Sequence, residues 1–184
     1  MNASISESDK DVLALAADSA PRSNGAIVSE GVLAGFVAAS AVAAVFLVVD
    51  LVAGQAFRTP RQLGAMLLSL FGVGAEASGD LATSLALYTL FHFVAFIVAG
   101  IIAAAIVQVT MKQPVAILLF IILFFAFEVA FTGFVAFLDV TSTSGVTPVQ
   151  VAIGNVVASI AMAIFFRARH PKLRQIGRAL AAEE

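Results

Sequence analysis

No cysteine occurs anywhere in the chain, which excludes disulfides, covalent c-type haem, iron–sulfur clusters and thiol catalysis. Tryptophan is also absent and Tyr88 is the single tyrosine, so the aromatic belt that usually marks a membrane surface is thin. Charge is scarce: 12% of the 184 residues are Asp, Glu, Lys or Arg, about half the share of a soluble domain. A chain so poor in charge cannot cover its own surface with polar groups, so that surface faces something other than water. Nor is there a basic excess, since the net charge is −2, and no nucleic acid is expected as a partner. The first thirty residues lack a signal-peptide pattern, because Glu7, Asp9, Asp11 and Asp18 make them acidic and no positive start leads into an apolar core. The first membrane helix is therefore expected to direct its own insertion.

What the chain has instead is apolar residues, 61% of the total, with 16 phenylalanines and a mean hydropathy of +1.04. They gather into four runs, each long enough for the about 20 residues that a bilayer core requires. The spans are expected at about 31–54, 82–109, 115–138 and 146–166. They lie within a membrane domain over 26–168, between a flexible cytoplasmic tail at 1–25 and a basic amphipathic cytoplasmic tail at 169–184. The fold class is all-α: a polytopic membrane protein built as a four-transmembrane-helix bundle.

Basic residues set the orientation. Lys10, Arg22, Lys112, Arg167, Arg169, Lys172, Arg174 and Arg178 fall on one side, against Arg58 and Arg61 on the other. Positively charged loops stay inside, so both termini are expected in the cytoplasm and the protein in a cell inner membrane.

Two shorter segments are amphipathic. In the first outer loop, Thr59 reads as an N-cap and Pro60 as the first helical residue. Leu63, Met66, Leu67, Leu70 and Phe71 then recur at helical spacing. A helix over 60–71 is too short to span, so it is expected to be interfacial or re-entrant, with Arg58 and Arg61 at the headgroup level. After Pro171, the face formed by Leu173, Ile176 and Leu180, together with Lys172, Arg174 and Arg178, suits anionic lipid.

Ionisable residues inside a membrane are costly and normally face partners or a pathway. Asp50, His92 and Glu128 are the ones here. At 1.5 Å per residue, His92 lies about 18 Å from Asp80, Glu128 about 16 Å from Asp139 and Asn155 about 15 Å from Gly145. Ser84, Tyr88 and His92 share one helix face, as do Glu128 with Thr132 and Asn155 with Ser159. These spacings predict an intramembrane polar cluster of His92, Glu128, Asn155, Tyr88 and Asp50, with His92 and Glu128 in hydrogen-bonding reach. Such a pair either fixes helix register or handles protons. As a third use, His92, with or without Glu128, would hold a metal, a five-coordinate haem or a chlorophyll-type pigment.

Small residues recur every fourth position at Gly31, Gly35, Ala39 and Ala43, and again at Gly100 and Ala104, Ala126 and Ala130, and Gly154 and Ala158. Such stripes let helices approach closely, within the bundle or against another subunit. The common enzyme motifs G-x-S-x-G, H-E-x-x-H and the P-loop do not occur. The leading expectation is a non-enzymatic accessory or assembly subunit of a larger membrane complex, without a cofactor, whose partners are the bilayer and other membrane subunits. The alternatives are a small proton- or ion-handling protein using His92 and Glu128, and a membrane enzyme or pigment-binding protein, the enzyme with its site near Asp50, Arg58 and Arg61.

Overall fold

In a computed structural model of the chain, the described residues are Lys10, Val12, 23–71, 80–113, 118–137, 147–171 and Leu173; the side chains of Phe120, Phe127, Phe131, 134–137 and Pro148 are excluded. The expected N-terminal tail thus falls almost entirely outside the described residues, as do Gly72, Gly74 and most of the C-terminal tail. Among the described residues the chain is helical and without strands, in five elements: α1 (Asn24–Val52), α2 (Arg58–Leu70), α3 (Leu81–Lys112), α4 (Leu118–Phe137) and α5 (Pro148–Arg169). Three of them, α1, α3 and α5, are long and apolar enough to cross a membrane. This is the makeup of a helical membrane protein.

Local chemistry sets the helix ends. Ser23 caps α1 by accepting the Ala26 N–H, so α1 starts about two turns before the expected 31. Asp80 caps α3 and accepts from both the backbone N–H and the hydroxyl of Thr83. Those hydrogen bonds, the hydroxyl's first, hold the exposed Asp80 carboxyl below its ordinary range. Thr147 and Gln150 form a reciprocal capping box at the start of α5, with Pro148 in its first turn. Pro114 and Pro171 follow α3 and α5, where the missing N–H and the ring clash stop a helix.

The expected cap of α2 is corrected. Helix begins at Arg58, so Thr59 is already its second residue, and the N-cap position belongs to Phe57, whose side chain makes no cap hydrogen bond. Before it the chain turns sharply. Gly54 at φ 71° and Phe57 at φ 63° both take the left-handed conformation, which an L side chain such as that of Phe57 enters at a cost of about 1–2 kcal/mol.

Small residues hold the core together. α1 and α3 pack antiparallel in the most extensive helix contact. Gly31 lies against the backbone of Ile101, Gly35 against Phe96 and Ile97, and Gly100 against Gly31 and Gly35, with no room for a Cβ at any of the three. Ala34, Ala38, Ala39, Ala103 and Ala104 are buried beside them. Gly154 of α5 faces Phe46 and Val42 of α1. The stripes of α1, α3 and α5 are therefore used inside the bundle, except that Ala43 at the end of the α1 stripe is exposed. On α4 the stripe points away: Ala126, Ala130 and Gly133 are exposed, and a Cβ on Gly133 would meet nothing within 4 Å. α4 rests mainly on α5 and touches α3 only lightly. α2 sits on the first turn of α3, Gly64 against the Ser84 backbone.

Candidate functional site

Asp50 lies in the last turn of α1 and is 3% exposed. Its Oδ2 accepts the Thr59 N–H at 2.8 Å and its Oδ1 accepts the Thr59 hydroxyl at 2.8 Å. Asp50 thus supplies, from the neighbouring helix, the acceptor that Phe57 does not provide at the start of α2. A carboxylate suits that end of a helix, where unsatisfied N–H groups concentrate positive potential. Sequence spacing gave no hint of this bond, because nine residues across a reversing turn correspond to no helical period.

Ser84, Tyr88 and His92 line up on α3 as their spacing predicts, with Ser84 and His92 buried and Tyr88 partly so. His92 Nε2 lies 3.0 Å from the Ala39 carbonyl oxygen of α1. A carbonyl only accepts, so Nε2 carries the proton and Nδ1 is left as an acceptor. The Tyr88 hydroxyl fills that role from 3.4 Å, and the two rings stack with centroids 5.4 Å apart. Both imidazole nitrogens are engaged. Asp50, Tyr88 and His92 border one cavity of about 290 Å³, walled by Phe46, Phe57 and Phe93.

Glu128 is not part of that group. It accepts a hydrogen bond from the Asn155 amide, and among the described residues no hydrogen bond joins it to His92. The expected His92–Glu128 pair is replaced by two separate ties, α3 to α1 and α4 to α5. Counting residues from each helix end gives depth but not the order of helices around the bundle. α4 rests on α5, so its carboxylate finds the α5 amide at the matched level.

At the opposite end of the bundle lies a contact the sequence reading missed. His170, expected to lie beyond the last span, ends α5 as its C-cap and is completely buried. Its Nε2 lies 2.9 Å from Oε1 of Glu30, which is 4% exposed on α1. No signal in the sequence pointed to it: α3 packs on the Gly31 stripe, whereas the neighbouring Glu30 turns to α5. A second and wider cavity, about 470 Å³, opens among α3, α4 and α5 at this end. Arg58 and Arg61 are exposed in the first turn of α2; neither lines a cavity itself, although their chain neighbours Phe57 and Pro60 line the first.

Comparison with protein-family models, with curated proteins and with solved structures found no match.

Proposed function

We propose that this chain is a four-span, non-enzymatic accessory or assembly subunit of a larger membrane complex, with α4 as the helix that meets the partner. The observation that carries the reading is the outward small-residue face of α4. Ala126, Ala130 and Gly133 are exposed, while the corresponding stripes on the other three long helices, Ala43 at the end of the α1 stripe excepted, are packed inside the chain. Lipid tails are as apolar as the helices they surround, so close van der Waals approach at small residues is what drives helices together in a membrane. The ionisable groups point the same way. Glu30, Asp50, His92, Glu128 and His170 each hydrogen-bond to another helix or across a turn, so they serve to attach helices. A haem, pigment or metal at His92 requires a ring nitrogen now bonded to Ala39 or Tyr88.

The fourth span has its own support. Gly31 meets Ile101 and Gly35 meets Ile97, so α3 runs antiparallel to α1; Glu30 meets His170, so α5 does too. The chain between α3 and α5 must therefore return the full length of the bundle. α4 has 20 residues and a length of about 30 Å, the thickness of a hydrocarbon core. With four spans both termini share a side, which the distribution of Lys and Arg makes the cytoplasm of an inner membrane. α2 has 13 residues and is too short to cross, so it lies at the outer surface with Leu70 and Phe71 exposed to lipid.

Purification of the tagged full chain in mild detergent tests the role. The expected outcome is co-migration with one or more membrane proteins in fixed ratio, lost in Ala130→Phe while the variant's own bundle keeps its melting temperature. A wild-type chain that migrates alone under several mild detergents overturns the reading.

A further inference from the structure

We propose that the wide cavity among α3, α4 and α5 is the binding site of one anionic phospholipid, with an acyl chain inside it and the phosphate at Arg167. The cavity holds about 470 Å³, within the usual 300–1,000 Å³ range of small-molecule sites. Ala103 of α3, Phe124 of α4 and Met162 of α5 represent its walls, which are apolar apart from Ser159 and the two ends. At one end stands Arg167; at the other, Asn155 is already bonded to Glu128. From Arg167 to Asn155 the helix rises about 18 Å, close to the roughly 15 Å of hydrocarbon in one leaflet. The cavity is as long as one leaflet is deep and is charged only at the surface end.

That charge selects the occupant. Among the described residues Arg167 has no hydrogen-bond or ion-pair partner, whereas its neighbour Arg169 lies over the Phe165 ring at 5.0 Å. A guanidinium presents a planar fork that matches two phosphate oxygens, and the cytoplasmic leaflet is where anionic lipids concentrate. A lone arginine above an apolar slot therefore favours a phosphatidylglycerol-type headgroup over a zwitterionic one. The site rests on α4 being a span and on Arg167 facing inward, and it needs no protein partner.

The test is native mass spectrometry of the full chain, purified in mild detergent and offered equal amounts of phosphatidylglycerol and phosphatidylcholine of the same acyl length. One retained phosphatidylglycerol per chain is expected. Arg167→Gln should lower the preference about fivefold, the effect of one basic side chain near a headgroup, and Arg167→Lys should keep most of it. Ala163→Phe, which fills the slot, should remove retention of either lipid. Equal retention of both lipids by the wild type, or an unchanged preference in Arg167→Gln, overturns the proposal. So does a slot-filled variant that keeps its lipid but loses co-migrating protein, which assigns the cavity to a partner helix. Loss of lipid preference with co-migration intact separates this site from the accessory role.

Discussion

At the scale of single residues, the interior of this protein is organised by acceptors shared between helices. Asp50 is the clearest case, since both of its oxygens serve Thr59. Removing it leaves a buried backbone N–H and a buried hydroxyl without their acceptor, which costs about 1–3 kcal/mol. Asp50→Ala is therefore expected to lower the melting temperature and to speed hydrogen exchange across α2, while Asp50→Asn, which keeps one acceptor oxygen, loses less. Unchanged exchange across α2 in the alanine variant contradicts the cap described for Asp50. His92 works similarly at the backbone level: its protonated nitrogen satisfies a carbonyl on α1, and Tyr88 closes the other side of the ring. Membrane depth explains why such bonds matter, because no water is present to take over a lost one.

At the scale of elements, helix identity and position were largely legible. Long apolar runs and their bounding polar residues located α1, α3 and α5, although α1 begins about two turns ahead of its expected start, and the 3.6-residue period placed Ser84, Tyr88 and His92 on one face. What the sequence did not carry was which helix stands beside which. Glu128 and His92 were matched by depth, yet they are separated because α4 lies against α5. Thr59 looked like a cap because it precedes Pro60, but the real acceptor arrives from α1. His170 looked like part of a solvated tail because Pro171 and basic residues surround it, and only tertiary packing buries it. Glycines test the element scale directly. Gly100→Ala forces a methyl into the backbone of Gly31 and Gly35, and overpacking of this kind costs about 1–3 kcal/mol or more. Gly133→Ala adds the same methyl where nothing lies within 4 Å, and in a helix it gains up to about 1 kcal/mol. Thermal unfolding in detergent should separate the two variants clearly; similar melting temperatures contradict the close α1–α3 approach.

At the scale of the whole molecule, the four-span reading makes a topological prediction. A reporter fused after Glu184 should be active only if it works in the cytoplasm, and one inserted near Ser142 only if it works outside; the reverse pattern overturns the orientation. The bundle is also closed end to end, because the first long helix and the last are joined by Glu30 and His170, 140 positions apart. That pairing has a consequence in time. At a synthesis rate of about 5–20 residues per second, roughly 7–28 seconds separate the emergence of the carboxylate from that of its imidazole. Through that interval every other helix is made and inserted while Glu30 waits at the membrane edge without its His170 contact. A chain that ends short of His170 keeps all five helices but lacks the imidazole that Glu30 meets. The tie between the start of α1 and the end of α5 is therefore among the last contacts that synthesis makes possible.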